Sequence, residues 1–151
     1  MTSKLQPAAI IVGVDGSDAS IAALREAVSL AVRLGAPVQA LTCWSLPSVY
    51  VDPYTRGLPD FKGAAQHILD RSVERAFGVN WPANLTTRVE QGPPRQTLIA
   101  ASRDVAFLVL GRRGFGGFAG LLLGSVSSAC ISHAHCPVLI VHAPPTGEPH
   151  E

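Results

Sequence analysis

Apolar residues arrive along this chain in short runs that alternate with amphipathic stretches. Ala8 to Val14 (AAIIVGV) is a β-branched run closed by a turn signal, and it predicts a buried strand. Ser17 or Asp18 then caps a helix whose apolar face is Ile21, Leu24, Val28 and Ala31, with Gly35 as its stop. Val38 to Trp44 (VQALTCW) predicts a second strand. Ser45 to Asp60 holds three prolines and a glycine and predicts a long loop, of a length more often functional than idle. Phe61 to Phe77 has helical spacing through Ala65, Ile68, Leu69, Val73 and Ala76, and Gly78 stops it. Leu85 to Glu90 predicts a third strand, and Pro93-Pro94 opens a short helix through Leu98 and Ile99. Val105 to Leu110 (VAFLVL) predicts a fourth strand, buried on both faces. Ser125 to Ala134 predicts a helix with Val126, Ala129, Cys130 and His133 on one side, and Pro137 to Val141 a fifth strand.

Strand and helix alternate throughout, which implies an α/β fold: a parallel sheet with helices on both faces. Such sheets bind ligands beyond the carboxyl ends of their strands, where the winding direction reverses. The ends of the first and fourth strands carry Asp15 and Gly111. An Asp before Gly-Ser often only shapes a turn. Its place opposite a glycine-rich loop favours a part in a site.

That loop holds six of the chain's fourteen glycines, between Gly111 and Gly124, and runs straight into Ser125. It leads from a strand end to a helix start. A helix N-terminus offers unpaired N–H groups and the positive end of a dipole, so it favours an anion. Glycines let the backbone approach closely and take φ > 0, so side chains at Gly114 or Gly124 are expected to strain φ and to fill phosphate space. Ser125 and Ser127 add hydroxyl donors without bulk. The loop is not a Walker A loop, because no GK[ST] follows, and it is too long for a dinucleotide fingerprint. Glycines alone would equally fit a slack surface loop with a capping serine. The insert Phe118-Ala119-Gly120-Leu121-Leu122-Leu123 argues against slack, because three adjacent leucines would dock it onto the fold.

Composition narrows the class further. The chain has 151 residues, 47% apolar and only 15% charged, enough for one domain with a sizeable core. Residues 1–143 are expected to form it and residues 144–151 a frayed, Pro-rich tail. A net charge of +1 favours neither a nucleic acid nor an anionic membrane as partner. No run approaches the roughly 20 apolar residues of a membrane span. The N-terminal apolar run is too short for a secretory leader. The three cysteines suggest neither a disulfide framework nor a zinc site, and Cys43 and Cys130 read as small core residues of a cytoplasmic protein. Asn84-Leu85-Thr86 matches a glycosylation acceptor, which means nothing in that compartment. His133 and His135 do not share a helical face and suit charge complementation at a helix end, or plain exposure. Trp44 could stack on a base but reads more simply as packing. Tyr50 and Tyr54 are candidates for a lid.

GVDGS at residues 13 to 17, together with Gly111-x2-Gly114-x9-Gly124-Ser125, resembles the universal stress protein family and matches the motif of its ATP-binding branch. The resemblance runs from about Ala8 to Val141. It implies a five-stranded parallel sheet of order 3-2-1-4-5 that binds ATP, with or without Mg2+, at its strand ends. It also implies a homodimer. Carried over by position, Asp15 would contact the nucleoside, flanked by Gly13 and Val14. Cys43 would offer backbone atoms to adenine. Gly111 and Gly114 would line ribose and phosphates, and Gly124, Ser125, Val126 and Ser127 would hold the phosphates.

Two positions depart from the family pattern. Arg112 stands where a small or hydroxylic residue is common, and Ala106 where an acidic residue often opens the fourth strand. With Arg113, Arg112 puts two positive charges beside the phosphate seat. Pointing inward, it would favour triphosphate over monophosphate. It could equally lie on the surface or at a dimer contact. The Pro137–Val141 strand, apolar on both faces and at the sheet's edge, is the expected dimer contact unless the tail covers it.

The leading functional expectation is a nucleotide-responsive regulatory or chaperone-like protein with an unnamed protein partner. The alternatives are a slow ATP hydrolase and a ligand-free dimeric module. GVDGSD lacks the paired glycines of a pyrophosphatase loop, and no carboxylate pair or lysine stands near the glycine loop to organise metal and water. The glycines themselves speak against a ligand-free module.

Overall fold

The computed structural model describes residues 8–47, 59–114 and 123–143. Its strands are β1 (Ile10–Gly13), β2 (Val38–Trp44), β3 (Leu85–Gln91), β4 (Phe107–Gly111) and β5 (Val138–Val141). They pair in parallel throughout, in the order β3-β2-β1-β4-β5. The expected sheet is therefore the observed one. The helices are α1 (Asp18–Leu34), α2 (Phe61–Phe77), α3 (Pro94–Ala101) and α4 (Ser125–His133).

Period-two alternation sorts the strand residues into two cores. Ile10, Val12 and Val14 of the first strand segment face α1 and α2, where Leu24, Val28, Leu69 and Val73 meet them. Ile11, Leu41, Leu108 and Leu110 face Leu98 of α3 and Cys130 of α4. Helices thus cover both faces, and β1 and β4 are apolar on both sides because both sides are buried. The Ala8–Val14 run overran its strand, since only Ile10–Gly13 pair as a ladder. Val105 and Ala106 likewise precede β4, just after Asp104 at φ 61°.

The caps set the helix ends. Ser17 accepts from the Ser20 N–H at 3.2 Å, and Gly35, left-handed at φ 64°, returns its N–H to Ala31 and Val32. Asp60 accepts from the Gly63 N–H at 2.9 Å, and Pro94 opens α3. Ala134 is extended at φ −62°, ψ 151°, and so ends α4 one residue before the expected boundary.

These connections carry the N-termini of α1 and α4 to the carboxyl edge of the sheet. β1 and β4 are neighbours, although the chain visits β2 and β3 between them. The winding direction reverses there. The tail 144–151, Tyr50, Tyr54 and most of the leucine-rich insert lie outside the described residues.

Candidate functional site

A cavity of about 660 Å³ opens at the carboxyl ends of β1, β2 and β4. Toward β2, α2 and α3 its wall is apolar, built from Leu41, Trp44, Phe61, Ala65, Ile68 and Leu98. Toward the β4–α4 connection it is polar and glycine-rich, with Asp15, Gly111, Arg113, Gly114, Gly124 and Ser125.

Asp15 shapes the turn weighed for it from sequence, and it also lines the cavity. Its Oδ1 accepts from the Ser17 N–H at 2.9 Å and from the Ser17 hydroxyl at 2.5 Å, folding the turn that starts α1. Gly16 permits that turn at φ 87°. The Asp15 N–H donates to Ser20 Oγ at 3.3 Å. The carboxylate is nevertheless exposed and lines the cavity, and its Oδ2 lies against Gly114. Arg75 of α2 braces the same turn, bonding Asp18 at 2.8 Å and the Gly16 carbonyl at 3.5 Å. Both partners of that ion pair are well exposed, so it adds little stability.

β1 and β2 part at the cavity. Among the described residues their main-chain rungs end with Val14 N–H donating to the Leu41 carbonyl at 2.9 Å. The Val14 carbonyl accepts instead from the Thr42 hydroxyl at 2.8 Å. Beyond that point Cys43 and Trp44 sit opposite Glu90 and Gln91 of β3, and their β1 side opens to the cleft. Cys43 is therefore half-buried at the cavity wall, unlike the core residue expected from its apolar surroundings. Burial pushes its thiol up from the ordinary 9.0 to about 11, against a smaller lowering by a hydrogen bond with Thr97. The thiol is thus protonated at neutral pH and is no nucleophile. Cys43 is expected to resist iodoacetamide at pH 7.5 in the folded protein, as peptide mapping would show. Burial penalises the thiolate in the folded chain, so this group leaves stability unchanged below pH 9 and lowers it as pH rises from 9 toward 11.

The β4–α4 connection is pinned at both ends. Arg112 donates its N–H to the Val141 carbonyl of β5 at 2.9 Å, and its own carbonyl accepts from the Gly124 N–H at 2.9 Å. The Ser127 hydroxyl donates to the Gly111 carbonyl at 2.8 Å. The chain bends at Arg112 as it leaves β4, and Arg113 lines the cavity whereas Arg112 does not. The first turn of α4 has no side-chain cap, so its leading amides and the positive end of its dipole face the cavity without a partner from a capping side chain.

The expectation that Gly114 and Gly124 need a left-handed backbone is corrected. Among the described glycines only Gly16, Gly35, Gly78 and Gly92 have φ in that region, and Gly124 sits at φ −72°. Gly114 and Gly111 require space inside the fold, and Gly124 does not. A Cβ on Gly114 would run into the Asp15 carboxylate. At Gly111 it would come within 2.7 Å of the Ala19 backbone. At Gly124 its nearest neighbour is the Arg113 Cα at 3.4 Å, an ordinary contact.

The cavity brings together Gly13, Val14, Asp15, Cys43, Gly111, Gly114, Gly124, Ser125, Val126 and Ser127, all of which were candidates from sequence. Sequence reasoning missed the α2 wall of Phe61, Ala64, Ala65 and Ile68, and the contributions of Thr42, Ser45, Pro94 and Leu98. The sequence shows only that Phe61, Ala65 and Ile68 follow helical spacing; that Ile68 is 40% exposed, and so serves no closed core, appears in the fold. Trp44, read as packing, lines the cavity. Among the described residues no three His, Cys, Asp or Glu side chains gather to hold a metal ion. None of the described helices is long and apolar enough to cross a membrane.

The sequence model of the universal stress protein family matches residues 8–142. A universal stress protein of Mycobacterium tuberculosis (strain ATCC 25618 / H37Rv) is 32% identical over 157 residues, covering 99% of this chain and 52% of the relative. The chain thus spans about half the length of that relative. A universal stress protein of Methanocaldococcus jannaschii is 31% identical over 147 residues, covering 89% of this chain and 82% of the relative. Among solved structures, a universal stress protein in complex with cAMP is 27% identical, with a TM-score of 0.64, over 91% of this chain and 98% of that one. With its family match running nearly end to end and its sheet in the order β3-β2-β1-β4-β5, this chain belongs to the universal stress protein family.

Proposed function

We propose that the cleft binds an adenine nucleotide, ATP foremost, and that the protein is a nucleotide-responsive regulator in the cytoplasm. The carrying observation is the cavity's two-sided chemistry: an apolar wall that suits a flat base faces an uncapped helix N-terminus that suits phosphate. The cAMP complex of a family member supports the class of ligand. In this reading Gly13, Val14, Asp15 and the backbone of Cys43 hold the nucleoside. Gly111 and Gly114 line the ribose and phosphates. The amides of Ser125, Val126 and Ser127, with the Ser125 hydroxyl, hold the phosphates, and Gly124, whose own N–H is given to Arg112, lines the seat in front of them. A Mg2+ ion arriving with ATP would be held by the phosphates themselves, with the Asp15 carboxylate as the nearest anionic group of the cleft. Residues 1–143 form the binding domain, with 144–151 as a tail.

The cationic role proposed for the loop falls to Arg113, because it lines the cavity and Arg112 does not. Calorimetric titration with ATP and AMP tests this reading. Arg113→Ser is expected to shrink the preference for ATP over AMP by about tenfold or more, the worth of one charge-assisted phosphate contact. Arg112→Ser should leave that ratio near wild type. A wild-type protein with no affinity for either nucleotide would overturn the reading.

A homodimer through β5 completes the proposal. The strand is at the edge of the sheet, and all four of its residues are half-exposed. An apolar edge of this kind invites pairing, and a twofold axis would close it without leaving a new edge. Light scattering at micromolar concentration is expected to give twice the monomer mass. A soluble monomer would refute the contact.

A further inference from the structure

We infer that the Ser127 side chain is a positioning group, whose hydroxyl holds the N-terminus of α4 against the end of β4 rather than donating to the ligand. The inference rests on the nucleotide reading above and deepens it. Ser127 is 5% exposed, and its single hydroxyl proton is committed to the Gly111 carbonyl at 2.8 Å. That proton is unavailable to a phosphate. The bond ties the third residue of α4 to the last residue of β4, across the whole glycine-rich connection. The Gly124 N–H to Arg112 carbonyl bond, at 2.9 Å, is a second tie one turn earlier. Together they set the distance and tilt between the strand end and the helix start, whatever path the intervening loop takes. The leading amides of α4 are then aimed before any ligand arrives. Groups oriented in advance bind more tightly because less freedom is lost on binding. Ser127 therefore governs affinity for the phosphate end of a ligand and leaves the nucleoside end alone.

Another buried serine provides the control. Ser102 is fully buried, donates to the Ile99 carbonyl at 2.6 Å and accepts from the His135 N–H at 2.9 Å, and does not line the cavity. ATP and adenosine are titrated calorimetrically into wild type, Ser127→Ala, Ser127→Thr and Ser102→Ala, with thermal melts of each. Ser127→Ala is expected to lose about tenfold in ATP affinity while adenosine affinity stays within about twofold. Ser127→Thr keeps the hydroxyl and should stay close to wild type. Ser102→Ala should melt lower yet bind ATP normally. Should Ser127→Ala fail to fold, Ser127→Cys, a weaker donor, carries the same comparison. Undiminished ATP affinity in Ser127→Ala, an equal loss of ATP and adenosine, a threonine variant as weak as alanine, or an equal loss in Ser102→Ala would each overturn the inference. Wild type binding neither ligand would instead remove the nucleotide reading, and this inference with it.

Discussion

Gly124→Glu is expected to fold as the wild type does and to lose ATP binding by at least about 100-fold, roughly 2.7 kcal/mol. The backbone accepts the change, because φ is −72° and ψ 167°, a conformation open to any residue. The protein accepts it too, since a Cβ there meets only ordinary contacts, the nearest at 3.4 Å. The new side chain would start beside the Arg112–Gly114 backbone, at the end of the cleft that the uncapped α4 amides line, and is expected to reach the space in front of them. Its carboxylate would satisfy those amides itself and would complement the helix dipole, so the melting temperature should hold or rise. A phosphate would then face both a filled seat and a like charge. Calorimetry and a thermal melt on the same preparation separate the two effects. Undiminished ATP binding would show that the start of α4 is not the phosphate seat.

Gly111→Ala should do the reverse and weaken the fold itself. The added Cβ would lie 2.7 Å from the Ala19 carbonyl carbon, 2.8 Å from its Cβ and 2.9 Å from its oxygen. These are atoms of the first turn of α1, held by the Ser17 cap, and a backbone cannot swing aside as a side-chain tip can. Overpacking of this kind costs typically 1–3 kcal/mol, and the rigidity of the neighbour puts Gly111 in the upper part of that range. For a chain of this size the melting temperature should fall by roughly 4–10 °C. A melt within a degree of wild type would mean that β4 and α1 separate more easily than their contact suggests.

These two glycines, alike in the sequence motif, thus answer to different masters: Gly111 to the helix behind it and Gly124 to whatever enters in front. The motif does not encode that difference. It becomes visible only when a Cβ is placed in the folded surroundings. The same limit explains the other differences between sequence and structure. Helix ends at Ser17, Gly35 and Gly78 were legible because caps are local chemistry. The parallel sheet was legible in the alternation, and its strand order in the family motif alone. Arg113 as the arginine of the cavity was not, because its direction depends on how the chain bends at Arg112 on leaving β4. The α2 wall was hidden for a related reason. Helical spacing shows that Phe61, Ala65 and Ile68 share a side, but not that β2 and α2 stand far enough apart to leave that side open.

The missing cap on α4 has one more consequence. A chain that begins a helix with glycine and supplies no side-chain acceptor leaves that helix short of a partner when the cleft is empty. Whatever anion fills the cleft then completes the fold as well as binding to it. The protein's heat resistance becomes a readout of its surroundings: at 100 times the dissociation constant the occupant adds about 2.7 kcal/mol to stability, and on dilution that gain disappears. Endurance in such a molecule would track the supply of its ligand, so that scarcity is registered first as a softer protein.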